Sequence, residues 1–491
     1  MTRACFALLF LCFVALCGEP ESQRIAALVE EARAAWGVPG VAIGIVRDDK
    51  VVYLAGHGIR EAGKPEPVTI HSTFQIASTT KAFTSAAIAM LVDEGKMNWD
   101  DPVRKHLDYF RLSDPHADEL VTIRDLLCHR TGLPRHDVLW SRTGLSREDL
   151  IRRMGFAKPS ASFRSQYQYQ NLMFTSAGEA LGKTSGLGWD GFLKRRIFEP
   201  LGMKDTATIH SEILQHADRA MPHATKDGRA SLVPWNNYDN IGGAGAIASS
   251  AADMTEWLRL QLGRGSYQGK QLISQKNLGE THLPNMFNRL TPQTQALQPA
   301  FTQTSYGLGW AINHYRGEML VMHSGVLSGF RALVTMVPRL HLGFVILANL
   351  NNTNLNEALT NTLIDEYLNL PKTYNWNSHM LTAVRRNEEF DARERLERQE
   401  SRKKDTKPSL PLSAYAGIYH EPAYGDAKVI FEDGKLSIEW IKFKASMDHW
   451  HYDTFQLKEG GPLSASLATF SLNEKAVPTK LSLLGQDFVR Q

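Results

Sequence analysis

The order of apolar and polar residues divides the chain into helical and strand-forming stretches. "RIAALVEEARAAWGVPG" (24–40) has the spacing of an amphipathic helix that ends at Gly37. "VAIGIVRDDKVVYLAGHGIRE" (41–61) predicts two strands joined by a tight turn. Helical and turn-rich patterns fill roughly 100–280, and strand patterns return at 305–315, 320–338 and 342–350. Strands on both sides of a helical middle predict an α+β fold, in which one antiparallel sheet is flanked by helices and accompanied by an all-helical lobe.

One predicted helix lacks a polar face. In "FQIASTTKAFTSAAIAMLVDEGKMNWDDP" (74–102), nearly every residue from Ala82 to Val92 is apolar, which predicts a buried helix. Ser78 and Lys81 lie at its start, three positions apart, and therefore on one face. A serine hydroxyl needs a base to become a nucleophile, and burial lowers the pKa of a lysine, so the pair suggests nucleophile and base. The alternative is a serine that caps the helix and a lysine that extends to solvent.

The C-terminal part of the chain changes character twice. Residues 376–410 are dense in both charge signs and predict a solvated helix and linker. Beyond Pro411, short alternating stretches predict a small all-β domain at 411–491, either a barrel or a sandwich. The preceding catalytic domain is expected at 19–375.

The N-terminus predicts export. "MTRACFALLFLCFVALCGEPESQ" has one Arg, an apolar stretch and then small and polar residues, which is the layout of a signal peptide, expected at 1–18. A secreted or periplasmic protein follows, with no membrane span in the mature chain. A buried helix or membrane anchor is the alternative, and lipid attachment at Cys17 is weakly supported because Leu16 precedes it. Cys128 is then the one mature cysteine, so no internal disulfide is expected.

Composition excludes several classes of function. The chain has 491 residues, 22% of them charged, with a net charge of +3, so no nucleic-acid partner is indicated. It contains neither a Gly-x-Ser-x-Gly elbow nor a phosphate-binding glycine loop. "HWHYD" (449–453) has the His-x-His-x-Asp spacing of some zinc sites, but an exposed strand face in the small domain is the favoured interpretation.

Three ordered motifs give the chain a family resemblance. Ser78 and Lys81 form the first motif, Tyr169-Gln170-Asn171 the second, and His323-Ser324-Gly325 the third. With "TIRDLLCHRTGLP", "YGLGW" (306–310) and "GAGAIASSAADM" (243–254), the chain resembles the serine β-lactamase-like family over about 25–370. That family also contains penicillin-recognising DD-peptidases and related esterases.

The resemblance implies a role for each motif residue. Tyr169 would share a proton with Lys81, with phenolate character, and protonate the leaving group, although Tyr167 competes for this role. Substrate would bind to Asn171, His323, Ser324 and Gly325. The backbone N–H groups of Ser78 and Val326 would form the oxyanion hole. His323 would polarise Tyr169 or a substrate carboxylate. Neither a metal nor a cofactor is implied.

One departure affects the expected substrate. Related β-lactamases have lysine where this chain has His323, which is mostly neutral at pH 7. We therefore expect an acyl-enzyme on a small ester, a D-amino-acid peptide or a β-lactam-like amide, with β-lactams poor substrates. His129 lies in the same family-like loop as His136, Asp137 and Trp140, and the last three are expected either to line the cleft or to pack the loop.

Two other functions stay open from the sequence. A catalytically inactive family member would act as a binding or scaffolding protein. Alternatively, the protein would bind the cell wall through residues 411–491. This function predicts that the protein sediments with peptidoglycan and that deletion of those residues abolishes the sedimentation.

Overall fold

The computed structural model describes residues 21–491, so the predicted signal peptide and Cys17 lie outside the described residues. None of the helices it describes is both long and apolar enough to cross a membrane. The helices, in chain order, are α1 (Glu21–Trp36), α2 (Thr80–Asp93), α3 (Val103–His106), α4 (Pro115–Leu120), α5 (Ile123–Leu127), α6 (Asp137–Trp140), α7 (Arg147–Met154), α8 (Asn171–Ser185), α9 (Gly188–Leu193), α10 (Glu199–Leu201), α11 (His210–Gln215), α12 (Gly242–Gly245), α13 (Ala251–Leu262), α14 (Gln275–Thr281), α15 (Pro292–Leu297), α16 (Leu355–Tyr367) and α17 (Trp376–Glu400).

The strands form one large sheet, one barrel and three two-stranded sheets. In chain order they are β1 (Gly40–Arg47), β2 (Lys50–Gly58), β3 (Phe74–Gln75), β4 (His223–Lys226), β5 (Arg229–Leu232), β6 (Ala248–Ser249), β7 (Ser266–Tyr267), β8 (Lys270–Gln271), β9 (Met286–Asn288), β10 (Phe301–Tyr306), β11 (Ala311–Tyr315), β12 (Glu318–Leu327), β13 (Phe330–Val337), β14 (Leu342–Ala348), β15 (Gly417–Glu421), β16 (Gly425–Glu432), β17 (Lys435–Trp440), β18 (Phe443–His451), β19 (Thr454–Lys458), β20 (Leu467–Leu472), β21 (Pro478–Leu483) and β22 (Gln486–Arg490).

The large sheet joins the two ends of the catalytic region. Its order is β2-β1-β14-β13-β12-β11-β10-β9, and all its pairings are antiparallel. Val41 of β1 pairs with Ala348 of β14, so the first and last strands of this region lie side by side. Both strands are apolar and buried nearly throughout, because α1 and α16 cover one face while α13 covers the other. The predicted α+β fold is confirmed.

Helix α2 is the buried helix that the sequence predicted. Every residue from Thr80 to Leu91 is buried, and the helix packs against α8, α12 and α14 of the helical lobe. Its start also faces the sheet, because the turn that precedes it contacts β12 and β13. This position places the N-terminus of α2 between the sheet and the lobe.

The C-terminal region is a charged helix followed by a closed barrel. Helix α17 buries Trp376, Met380 and Ala383 in its first turns, and its remaining turns are largely exposed. Strands β15 to β22 form an eight-stranded barrel, which is closed by the pairing of Tyr419 in β15 with Arg490 in β22. The predicted all-β domain is therefore present, and of the two architectures considered it is a barrel.

Candidate active site

Ser78 lies in a tight turn that runs directly into helix α2. The turn is a single 3₁₀ segment, Ala77–Thr79, and Thr80 begins the α-helix. Ala77 has a φ of 51°, a left-handed conformation that a residue with a Cβ adopts at some energetic cost. Ser78 is partly exposed whereas Ala77 and Thr79 are buried. The turn thus presents the Ser78 hydroxyl to a surface pocket at the positive end of the helix dipole.

Strand β12 passes very close to this turn. A Cβ added to Gly325 would lie 2.1 Å from the Ile76 carbonyl oxygen and 3.0 Å from the Ala77 Cβ. No side chain fits there without displacing the strand or the turn. Gly325, expected from the sequence to bind substrate, therefore has a structural reason to be glycine, since its small size sets the separation between β12 and Ser78.

The Lys81 amine is buried and surrounded by oxygen atoms. Its Nζ lies 2.8 Å from Asn171 Oδ1, 3.0 Å from the Ala244 carbonyl oxygen and 3.1 Å from Ser78 Oγ. Burial holds the pKa of Lys81 well below its ordinary value, and the positive charge of Arg135 lowers it further. A neutral amine can donate to Asn171 and Ala244, which only accept, and keep its lone pair for the Ser78 hydroxyl. The geometry fits a base beside a nucleophile.

Asn171 is oriented by a carboxylate. It is the first residue of α8, and its Nδ2 donates to Asp137 Oδ1 at 3.0 Å, which leaves Oδ1 facing Lys81. The same Asp137 oxygen accepts a hydrogen bond from Trp140 Nε1 at 2.8 Å. Asp137 and Trp140, two of the loop residues singled out in the sequence, therefore support the site through Asn171.

Of the two candidate tyrosines, Tyr169 lies closer to the reacting groups. Lys81 Nζ is 4.7 Å from the centroid of the Tyr169 ring. Burial raises the pKa of Tyr169 and outweighs the hydrogen bond with Ser78, which acts to lower it, so the phenol is protonated at neutral pH. This differs from the phenolate character expected from the sequence. Tyr167 lines the same pocket, and burial raises its pKa as well.

His323 hydrogen-bonds Tyr306, the first residue of "YGLGW", to which the sequence assigned no role. Its Nδ1 lies 2.7 Å from the Ser324 carbonyl oxygen, which only accepts, so Nδ1 carries the proton. Its Nε2 then accepts from the Tyr306 hydroxyl at 2.8 Å. Burial lowers the pKa of His323 to about 3, so the imidazole is neutral. Its hydrogen bond goes to Tyr306 rather than to Tyr169, because Tyr306 at the end of β10 lies beside it.

These side chains surround one pocket of about 290 Å³. It is lined by Ser78, Arg135, Tyr167, Tyr169, Tyr306, Ala311, His323, Ser324 and Val326. The pocket brings together residues from the α2 turn, the loop before α8 and strand β12, the three segments that contain the ordered motifs. The sequence assigned no role to Arg135, although it directly precedes His136 in the loop that also contains Asp137 and Trp140.

The two loop histidines lie behind the pocket. His129 is fully buried; its Nδ1 accepts from the Gln170 N–H at 3.0 Å, and its ring centroid lies 4.3 Å from that of Tyr169. His136 Nδ1 hydrogen-bonds the Tyr424 hydroxyl of the barrel at 3.0 Å. One histidine therefore packs beneath Tyr169, and the other connects the loop to the C-terminal barrel.

The "HWHYD" residues all have protein partners. His449 Nε2 hydrogen-bonds the Tyr452 carbonyl oxygen, His451 Nδ1 accepts from the Lys403 N–H, and Asp453 accepts from Ser409. Across residues 21–491, no three His, Cys, Asp or Glu side chains are grouped as a metal site would require. The segment spans the end of β18 and the turn that leads into β19.

The sequence matches two described families. Residues 25–369 match the family described as Beta-lactamase. The chain belongs to the Beta-lactamase family. Residues 401–489 match a Domain of unknown function (DUF3471), which covers the barrel. The family resemblance drawn from the three motifs is confirmed.

A curated relative and two solved structures are similar over long stretches. "Unguisins hydrolase ungD" of Aspergillus violaceofuscus is 29% identical, over 83% of this chain and 76% of that protein. The octameric penicillin-binding protein homologue from Pyrococcus abyssi aligns with a TM-score of 0.63 and 21% identity, over 95% of this chain and 99% of that one.

The class C beta lactamase from Rhodobacter sphaeroides aligns with a TM-score of 0.57 and 21% identity, over 71% of this chain and all of that one. At such identities the two structures establish a shared fold. Family membership and the hydrolase relative together support a serine hydrolase type of function.

Proposed function

We propose that this Beta-lactamase family member is a serine hydrolase that acts through an acyl-enzyme on Ser78. The observation that carries the proposal is the buried Lys81 amine, 3.1 Å from Ser78 Oγ and bonded to two pure acceptors. A buried lysine that served only to pack would have no need of a partly exposed hydroxyl as its third neighbour. A catalytically inactive family member would have little reason to retain this arrangement of Ser78 and Lys81.

Acylation begins with proton transfer from Ser78 to Lys81. The Ser78 oxygen attacks the substrate carbonyl carbon while the lone pair of the neutral amine accepts the hydroxyl proton. The Lys81 ammonium that results donates hydrogen bonds to Asn171 Oδ1 and the Ala244 carbonyl oxygen, which stabilise its charge. The backbone N–H groups of Ser78 and Val326, two residues that line the same pocket, stabilise the negative oxygen of the tetrahedral intermediate.

Tyr169 completes the cycle as a proton donor. Because its phenol is protonated, it donates to the leaving group as the tetrahedral intermediate collapses. The Lys81 ammonium beside its ring favours the transient phenolate, and the proton returns from Lys81. Water then attacks the acyl-enzyme while Lys81 accepts a proton from it. As the second tetrahedral intermediate collapses, the bond between Ser78 Oγ and the acyl carbon breaks and Lys81 returns that proton to Oγ, which releases the acid and restores both side chains.

The pocket favours small acyl groups. A volume of about 290 Å³ fits a small ester, a D-amino-acid peptide end or a β-lactam-like amide. His323 is neutral, so strand β12 offers no charge to the carboxylate of a β-lactam, and β-lactams should acylate slowly or turn over poorly. A relative named as a hydrolase of unguisins supports hydrolysis as the type of reaction.

We also propose export of the mature chain, on the basis of its N-terminal sequence. The signal-peptide pattern at 1–18 supports a secreted or periplasmic location. The mature protein would then act on substrates outside the cytoplasm.

Replacement of the nucleophile tests the proposed function. Ser78→Ala should abolish hydrolysis of short-chain 4-nitrophenyl esters, with a loss of at least about a thousandfold in kcat/KM. Ser85→Ala is a matched control, because Ser85 lies two turns further along α2 and its buried hydroxyl makes no hydrogen bond within residues 21–491. Hydrolysis retained in Ser78→Ala would overturn the proposal.

A further inference from the structure

The pocket around Ser78 contains one charged side chain beside a set of neutral ones. Arg135 reaches it from the loop before α6, whereas the other polar lining groups are tyrosines, serines and the neutral His323. The cation therefore lies on the wall formed by the helical lobe. The opposite wall, strand β12, supplies neutral groups.

Contacts fix the plane of Arg135 but leave its end free. The guanidinium carbon lies 4.9 Å from the centroid of the Tyr169 ring, and Nε donates to Asp137 Oδ2 at 2.6 Å. Within residues 21–491, the terminal Nη1 and Nη2 atoms have no hydrogen-bond partner, and the side chain is 57% exposed. The two terminal nitrogens of such a stacked guanidinium can donate in parallel to the two oxygens of a carboxylate.

The Asp137 carboxylate already accepts hydrogen bonds from three donors. Its Oδ1 accepts from Asn171 Nδ2 and Trp140 Nε1, and its Oδ2 accepts from Arg135 Nε. The carboxylate thus holds Arg135 through Nε, and Nη1 and Nη2 of this pocket-lining side chain stay available within residues 21–491. An anionic group in the pocket would bind these two nitrogens without displacing Asp137.

We propose that Arg135 binds a carboxylate of the substrate, so that the enzyme prefers acyl compounds with a second, ionised carboxyl group. This inference rests on the proposed function at Ser78. The recognition differs from one based on the third motif, because the positive charge comes from the helical lobe and not from the strand that contains His323.

Matched pairs of esters test the inference. One pair is 4-nitrophenyl hydrogen adipate and its methyl ester, with the carboxylate on the acyl side. The other pair is 4-butyryloxybenzoate and its methyl ester, with the carboxylate on the leaving group. We expect a preference of about tenfold in kcat/KM for the carboxylate member of at least one pair, which corresponds to one charge-assisted contact.

Three variants assign that preference to Arg135. Arg135→Gln should remove it and Arg135→Lys should keep part of it, whatever their effect on the neutral esters. Arg152→Gln is the control, since Arg152 is 54% exposed, ion-paired with Glu148 and 4.5 Å from the Tyr109 ring, but outside the pocket. It should retain the full preference.

The outcomes separate the inference from the function it rests on. The inference is overturned if the wild-type protein treats both members of each pair alike, or if Arg135→Gln keeps the preference. Failure of the wild-type protein to hydrolyse any of the four esters, or hydrolysis by Ser78→Ala, would overturn the proposed function instead.

Discussion

Lys81 controls the pH range in which the site can react. Its amine must be unprotonated to accept the Ser78 proton, so kcat/KM falls as pH drops through the pKa of Lys81 in the folded protein. Burial holds that pKa well below the ordinary 10.5. We therefore expect a plateau in kcat/KM that begins well below pH 10.5, measured with a neutral ester. A rate that rises steadily to pH 10.5 would contradict this assignment.

Arg135 should affect the pH at which kcat/KM falls on the acidic side of the profile, which we call the acidic limb. Its positive charge is the second cause of the low pKa of Lys81, so Arg135→Gln should raise that pKa and move the limb to higher pH. If Arg135 had only a structural role, its replacement would change the plateau value of kcat/KM and not the pH at which kcat/KM falls. Arg152→Gln should leave the limb in place, and a limb unmoved in Arg135→Gln would contradict the electrostatic coupling.

The contact between Ser78 and Lys81 was easier to predict than the contacts of Tyr306 and Arg135. Ser78 and Lys81 share a helix, so their spacing alone predicts their contact. Tyr306 and Arg135 come from separate segments and meet the other residues only after the sheet and lobe have formed. Their contacts depend on long-range packing, which local patterns do not contain.

The contact between β12 and the Ser78 turn is a tight junction between two elements that form the site. Gly325→Ala would place a Cβ 2.1 Å from the Ile76 carbonyl oxygen, so the strand or the turn must move. We expect a loss of about a hundredfold in kcat/KM and a destabilisation of about 1–3 kcal/mol. Kinetics with a neutral ester and thermal unfolding measure the two effects.

A second glycine provides the control for this substitution. Gly279 lies in α14, where an added Cβ meets no atom within 4 Å. Gly279→Ala should keep full activity and be neutral or slightly stabilising, because alanine favours a helix. Wild-type activity in Gly325→Ala would show that the junction is not tight.

Elements with strong, simple patterns were predicted well. Helix α2 is apolar at nearly every position from Ala82 to Val92, and β1 and β2 are two strand-forming stretches separated by a clear turn, so both are visible in the sequence. Strands β21 and β22 were not identified individually, since each is short and the barrel closes through a pairing between its first and last strands. That closure is a property of the assembled domain.

At the scale of the whole molecule, the barrel contacts the loop that supports the site. The Tyr424 hydroxyl bonds His136, and Asp137 beside it orients Asn171 against Lys81. Arg153 of α7 adds a hydrogen bond to the Ala423 carbonyl oxygen. The barrel is thus connected to the base through three successive contacts, which suggests that it helps to position the loop.

Tyr424→Phe tests this connection. Loss of one hydrogen bond to the His136 loop should lower kcat by about three- to tenfold, with little change in KM, since the effect passes through Lys81 and not through substrate contacts. Tyr452→Phe is the control, because Tyr452 is an exposed barrel residue. Equal kcat values in the two variants would show that the barrel does not influence the site.

The most direct test of the account is to locate the covalent bond. The full-length protein would be incubated with a fluorophosphonate and, separately, with a fluorescent penicillin, then analysed by intact mass and peptide mapping. We expect one fluorophosphonate group per chain, on the peptide that contains Ser78, no adduct in Ser78→Ala, and slower labelling by the penicillin. An unlabelled wild-type protein, or a label on another residue, would contradict the assignment of Ser78 as the nucleophile.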